Sequence, residues 1–341
     1  MTVSIKDIAR VADVSHSTVS RALSDSPLVS AETKSRIQDL AREMSYSPDA
    51  QARSLVVGRT QTIGVVVTTV SDPFIAEMVQ AIESTARDRE YSVILASFNS
   101  ESVREIATVE RLQSKRVDGV IVTSSRVGAL YQDHLERLHV PVVLINSRST
   151  ERGAYTYSVG VDNHHGGCLA TGHLIQQGHR RIAYVGGPPR HSDDEERLAG
   201  YHQALREAGI ASDPALVIPG TGRVGGGERA LSALMALDQP PTAAFCYNDM
   251  TAVGLLYAAW ARGLAVPREL AVVGFDDIPL ASFVQPPLTT IAQPIAMMGG
   301  RAVEMVLALM ANGSPASKDV SNVVAQGQLV IRESSGARIA P

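Results

Sequence analysis

From Thr62 onward the chain alternates short β-branched runs with helical patterns, and it does so twice. IGVVVTT, YSVILAS, DGVIVTS and PVVLIN read as strands, separated by amphipathic patterns around Ile75 to Arg89, Val103 to Lys115 and Ala129 to Leu138. YSVGVDN, RIAYVGG, ALVIPG, AAFCYND and LAVVGFDD form a second set, again with helices between them. Strands joined through helices run parallel with both faces covered, so each set predicts one doubly wound α/β lobe. Such sheets bind ligands at the carboxyl ends of their strands, and two lobes in one chain predict a ligand between them. A residue content that is 45% hydrophobic but only 4% aromatic fits Ala/Val-rich cores of this kind.

A different pattern precedes them. Ile5 to Leu23 reads IKDIARVADVSHSTVSRAL, two short amphipathic helices joined by a tight polar turn. Ser4 with Asp7 three residues later forms a variant of the capping box, and Ile5, Ile8, Ala9 and Ala12 fall on one face. Ser15 is placed to cap the second helix, whose Val19, Ala22 and Leu23 turn inward and leave His16, Ser17, Ser20 and Arg21 outside. A third helix starts from Ser30 and packs through Ile37, Leu40, Ala41 and Met44. Short or donor-rich side chains on the second helix suit a helix end entering a major groove, so the segment predicts a helix-turn-helix that reads DNA. A plain three-helix cap with a solvated polar face is the alternative. Over residues 1–60 eight basic residues face seven acidic ones, which is no basic footprint. Binding therefore has to rely on placed phosphate contacts, helix N-termini and the pairing of two copies.

Between these regions lies SPDAQARSLVVG, Ser47 to Gly58. Ser47 is an N-cap, Pro48 suits the first helical position and Asp49 the positive end of the dipole. A helix of this length does not hold alone and needs a partner, such as the same segment of a second subunit on DNA. Leu55 would then be an exposed apolar side chain able to wedge into a base step from the minor groove. Without DNA the segment reads as a frayed linker.

Together, IKDIARVADVSHSTVSRAL, VSAETKSRIQDLAREMSYSP and ARSLVVGRTQTIGVVV resemble the N-terminal region of the lactose/galactose repressor (LacI/GalR) family of bacterial transcription regulators, and the resemblance runs to about residue 334. It implies an all-α helix-turn-helix DNA-binding domain over 1–46 and a hinge helix and linker over 47–60. An α/β core like that of periplasmic sugar-binding proteins follows over 61–334, with a tail over 335–341. The core's first lobe would comprise about 61–160 and 293–322, and its second about 161–292 and 323–334. Three crossings would fall near Tyr157 to Asp162, Thr290 to Pro294 and Asn322 to Val324. By the same resemblance His16, Ser17 and Arg21 contact bases, Ser4, Ser15, Thr18, Ser20 and Ser30 contact phosphates, and Leu55 kinks the operator centre. Arginine fits the O6/N7 pair of guanine bidentately, which suits Arg21. The glycine that usually ends the third helix is Ser45 here, at the cost of a less comfortable left-handed residue.

The strand ends carry what a sugar pocket needs. Asp72 and Phe74 follow the first strand, Asn146 ends the fourth, Arg197 lies in SDDEERLAGY, Asn248 and Asp249 end AAFCYND, and Asp276 ends VVGFDD. Carboxylates, amides and a guanidinium can hold adjacent hydroxyls while an aromatic ring covers the apolar sugar face. The family's effector positions fall on Asp72, Phe74, Asn146, Arg197, Asn248 and Asp276, with His191 and Asp193 added from the loop after GGPP. An Asp276–Arg197 ion pair and helix capping by Asn248 are the purely structural alternatives. The carboxylates of Asp72, Asp193 and Asp276 outnumber the arginine, which favours a neutral mono- or oligosaccharide. Where the family often has an aromatic over the effector this chain has Gly222, leaving a roomier wall that Arg223 can reach.

Catalytic readings find less support. Gly220, Gly222 and Gly225 have G-x-G-x-x-G spacing, the mark of an NAD-dependent oxidoreductase, but they fall mid-lobe and no acidic residue ends a strand about 20 residues on. His164 and His165 point apart with no third ligand spaced to join them, so no metal is expected. DDEER, Asp193 to Arg197, reads as a solvated helix start ending in a functional arginine. No nucleophile elbow or P-loop occurs, and no cofactor is expected. Cys168 and Cys246, the only cysteines, read as buried thiols. No apolar run is long enough to span a bilayer and no signal-peptide pattern opens the chain, so no membrane partner and a cytoplasmic site are expected. The sequence thus predicts a homodimeric DNA-binding repressor on a near-palindromic operator, controlled by a neutral sugar bound between two lobes. A corepressor-dependent or non-sugar-responsive regulator is the alternative, and an oxidoreductase the distant one.

Overall fold

A computed structural model describes residues 3–46, 59–98, 102–124, 140–146, 157–189, 191–312 and 322–336. Met1–Thr60 and Gln61–Pro341 form two separate compact units. The expected hinge helix with Leu55, and the expected helix from Ala129 to Leu138, lie outside the described residues.

The first unit holds α1 (Ile5–Ala12), α2 (His16–Leu23) and α3 (Ala31–Glu43). Ile8, Ala9, Ala12, Val19, Ala22, Ile37 and Ala41 bury together where the three helices meet. The caps form from the residues that the pattern singled out. Ser4 N donates to Asp7 Oδ2 at 3.1 Å, and Ser15 and Ser30 accept from Thr18 N and Thr33 N at 3.1 and 3.3 Å. Ser45 takes the left-handed conformation, φ 52°, where glycine is usual.

In the second unit, β1 (Thr62–Val67), α4 (Pro73–Asp88), β2 (Ser92–Ser97), α5 (Ser102–Ser114), β3 (Gly119–Thr123), β4 (Val142–Ile145) and β5 (Tyr157–Val161) build the first lobe. There follow α6 (Asn163–Gln176), β6 (Ile182–Val185), α7 (Ser192–Glu207), β7 (Val217–Ile218), α8 (Val224–Met235), β8 (Ala243–Cys246), α9 (Asp249–Ala261) and β9 (Ala271–Val273). The chain ends through β10 (Thr290–Ala292), α10 (Ile295–Asn312), β11 (Val323–Ala325) and β12 (Gln328–Val330). One sheet has the order β11-β5-β4-β3-β1-β2 and another β7-β6-β8-β9, each wholly parallel, and β10 pairs antiparallel with β12. β3 and β4 are buried along their whole length, as parallel strands between helix layers must be. Strand β2 is the edge and is largely exposed.

The chain crosses between sheets after β5, after β10 and between β11 and β12. The last crossing falls at residues 326–327, beyond the expected Asn322 to Val324, because Val323–Ala325 still pair with Val159–Val161 in the first sheet. ALVIPG starts within a 3₁₀ turn, Pro214–Leu216, and only its Val217–Ile218 lie in the sheet. Among the glycines after it, Gly227 has a packing cause: a Cβ there would overlap the Thr251 carbonyl oxygen, and its absence lets α8 lie directly on α9.

Candidate functional site

On the first unit, Ser4, Ser15, His16, Ser17, Ser20, Arg21 and Ser30 are exposed and Thr18 is half-buried. Ser15 Oγ lies 2.8 Å from both Ser17 Oγ and Thr18 Oγ1, which gathers three hydroxyls at the N-terminus of α2. Free amides and hydroxyls at a helix N-terminus are suited to a phosphate, while His16 and Arg21 project from the same helix with longer donors.

In the second unit one cleft is lined by Asp72, Phe74, Asn146, His191, Asp193, Arg197, Asn248 and Asp276, all eight of the expected effector positions, whereas Asp249, also named at a strand end, is buried and is not among the lining residues. Its cavity measures about 100 Å³. From the first lobe, Asp72 caps α4 by accepting from Phe74 N at 3.0 Å, which turns the Phe74 ring inward. Burial pushes the Asp72 carboxyl up, against the pull of the Phe74 amide and of Arg223. Asn146 follows β4 with φ 48°.

From the second lobe, Asp193 and Arg197 share a face of α7 one turn apart, with His191 Nδ1 3.9 Å from Asp193 Oδ2. Arg197 is 2% exposed, a burial that a guanidinium tolerates only with partners. It donates to Asn163 Oδ1 at 2.8 Å and to the Tyr247 carbonyl at 2.5 Å, and sits 3.6 Å above the Phe275 ring centroid. Its Nη1 is 4.0 Å from Asp276 Oδ1, close enough for an ion pair. Burial drives the Asp276 carboxyl well above its usual range despite this neighbour. Asn248 accepts from Thr251 N at 2.9 Å, capping α9, and donates to the Gly222 carbonyl at 3.0 Å. The two structural contacts weighed as alternatives are therefore present, and the same side chains line the cleft.

Tyr247, Gln293, Ser124 and Thr69 are among the lining residues that escaped the sequence reading. Ser124 follows β3 and Tyr247 follows β8, so the rule of strand ends could have found them; Gln293 stands between a short strand and Pro294, in a stretch that does not read as a strand. The cleft's aromatic wall includes Tyr247. Gly222 has φ +68°, a Cβ there would meet the Tyr247 ring at 3.2 Å and Pro188 at 3.3 Å, and Arg223 lines the cleft beside it.

Two sequence readings need correction. Asp194 is no solvated helix start, because its Oδ1 accepts from Tyr184 Oη and Gly187 N, each at 2.7 Å. Cys246 is buried, but Cys168 is only half-buried, its thiol donating to the Gly200 carbonyl at 3.4 Å. Among the described residues no group of three or more His, Cys, Asp or Glu could hold a metal, and no helix is long and apolar enough to cross a membrane.

A helix-turn-helix joined in one chain to a two-lobed α/β core with a polar cleft defines a ligand-binding DNA regulator. Residues 4–49 match the model of bacterial regulatory proteins of the lacI family, and residues 171–335 that of a periplasmic binding protein-like domain. The HTH-type transcriptional repressor CytR of Escherichia coli K12 is 37% identical over 89% of this chain and 88% of its own length. The ribose operon repressor of Haemophilus influenzae is 36% identical over 97% of this chain and 98% of its own. Among solved structures, the lac repressor dimer bound to operator and an anti-inducer superposes with a TM-score of 0.87 at 28% identity, covering 99% of this chain and 100% of that one. The chain belongs to the LacI family of bacterial transcription regulators, whose members are DNA-binding proteins and not enzymes.

Proposed function

We propose that this protein is a cytoplasmic repressor that binds a near-palindromic operator as a homodimer and is released from it by a small neutral sugar held between its two core lobes. The observation that carries the reading is the convergence of Asp72, Phe74 and Asn146 from one lobe and Arg197, Asn248 and Asp276 from the other on a single cleft. A ligand touching both lobes favours their closed arrangement, and linkage makes the same ligand alter DNA affinity if the two arrangements differ in it. In a dimer, rotation of the first lobes sets the separation of the two segments Ser47 to Gly58. Ser4, Ser15, Thr18, Ser20 and Ser30 hold phosphates, His16, Ser17 and Arg21 read bases, and Leu55 wedges the centre. The names of two relatives support the effector and operator parts of this reading: one is a ribose operon repressor, and the lac repressor dimer was solved on operator.

Self-association is supported by exposed large apolar side chains on both lobes. Ile94 and Leu95 lie 39% and 43% exposed on the edge strand β2, and Trp260 and Phe283 of the second lobe are 74% and 83% exposed. Unpaired edges and exposed large side chains of this kind ordinarily have a partner.

The test is sugar binding and operator release in the full-length chain carrying Arg197→Lys, which keeps the charge but loses the planar fork. Sugar affinity is expected to fall at least about tenfold while unliganded operator affinity stays. Unchanged sugar-dependent release would sink the assignment of the cleft. Tighter operator binding with sugar would instead make the protein corepressor-dependent.

A further inference from the structure

The side-chain amide of Gln293 joins the two lobes with both of its ends occupied. Its Nε2 donates to Asp276 Oδ1 at 2.7 Å, and its Oε1 accepts from Asn146 Nδ2 at 3.1 Å. Asp276 follows β9, Asn146 follows β4, and Gln293 lies between β10 and α10, where the chain passes from the second lobe to the first. All three are buried. Asp276 offers an acceptor to Gln293, so the amide must turn its N–H end there and its carbonyl towards Asn146. Asn146 can answer only with its own N–H. That leaves Asn146 Oδ1 buried on the wall of the cleft with no hydrogen-bond partner among the described residues.

Backbone strain marks both ends of this relay. Asn146 has φ 48° and Asp276 φ 122°, values that non-glycine residues rarely adopt and that cluster at functional sites. Asp276 is also tied to the crossover strand through its backbone, donating to the Ile291 carbonyl at 2.8 Å.

We propose that Gln293 is a positioning residue that couples the lobes, transmitting the fixed Asp276 acceptor to Asn146 and thereby presenting Asn146 Oδ1 as an acceptor for a hydroxyl or N–H of the bound molecule. The inference rests on the reading of the cleft as an effector site. A buried acceptor without a donor is costly, so a ligand that supplies one favours the arrangement in which the relay is intact. A ligand lacking a donor at that point is rejected for the same reason.

The experiment uses the full-length chain with Gln293→Met, which keeps length but removes both hydrogen bonds, and Gln293→Glu. Spin labels on Asp88→Cys of α4 and Arg206→Cys of α7, both exposed positions, in a Cys168→Ser background, report the distance between lobes without ligand. Gln293→Met is expected to lengthen and broaden that distance. In Gln293→Glu the new carboxyl faces Asp276, with the charges of Arg197, Asp249 and Asp72 nearby. At low pH a proton shared with Asp276 replaces the amide donor and keeps the native distance; as pH rises through the titration of the pair two carboxylates repel and the distance broadens. A residue that only fills space would give no such pH dependence. Distances identical in all three chains overturn the proposal. Calorimetry with D-ribose gives the second readout, with a loss of at least about tenfold expected in Gln293→Met and unchanged affinity overturning the coupling. If the native chain does not take D-ribose, the choice of sugar fails while the interlobe distances still decide the role of Gln293.

Discussion

Arg197 shows how little of a binding side chain is free to bind. Its guanidinium already serves Asn163, the Tyr247 carbonyl and the Phe275 ring, so its position in the cleft is set before any ligand arrives. Such preorganisation is what makes a polar group useful for recognition. Asp249, next to the cleft residue Asn248, is fully buried, accepting from Thr290 Oγ1 at 2.6 Å and Ile278 N at 2.9 Å, and burial raises its carboxyl to about 7. The fold therefore binds this proton more tightly than the unfolded chain does. Its contribution to stability is full below about pH 4 and is lost as pH rises towards 7. Asp72 and Asp276, also raised by burial, act in the same direction, while His173, lowered by burial, acts oppositely as pH falls. Denaturant unfolding of the native chain should give about 1 kcal/mol or more less stability at about pH 7 than at about pH 5 from this group. Asp249→Asn is expected to remove that part of the slope, and an unaltered slope would exclude Asp249 as its source.

At the scale of elements, the pattern of residues was most readable where a local rule acts alone. Ser4, Ser15 and Ser30 announced three helix starts, and β-branched runs announced parallel strands. α4 and α5 fall within two residues of their expected bounds. What stayed illegible depended on tertiary partners. β11 reads like any short apolar run, and only pairing with β5 assigns it to the first sheet. Asp194 looks solvated until Tyr184 and Gly187 are brought to it. Gln293 carries no motif, and its contacts lie 17 and 147 residues away in sequence. The cleft was legible because its residues sit at strand ends, where the doubly wound fold puts ligands whatever their identity. For the reading helix, Ser15→Ala removes the cap of α2 and should destabilise the DNA-binding unit by about 1 kcal/mol, seen as a lower melting temperature of its helical signal. No change would mean that α2 starts without its cap. Leu55→Ala should reduce operator bending measured by energy transfer between duplex ends; normal bending would exclude the wedge.

For the whole molecule, the near balance of charge over residues 1–60 makes pairing of two copies central to tight binding. Trp260→Glu with Phe283→Glu places charges on exposed apolar positions of the second lobe. Sedimentation should then show a shift to monomer, with operator affinity falling at least about tenfold. A dimer of unchanged stability would move the interface elsewhere. In the proposed function, ligand in the cleft and DNA on α2 are alternatives linked through one dimer. The direct measurement is operator affinity of the full-length chain, on duplexes selected by the protein itself, with and without saturating neutral sugars, D-ribose first, in the native and Arg197→Lys forms. At the lowest sugar concentration that gives the full effect on the native chain, the native complex is expected to weaken at least about tenfold and the Arg197→Lys complex much less. A sugar that shifts both forms equally, or that fills the cleft without shifting either, would contradict it.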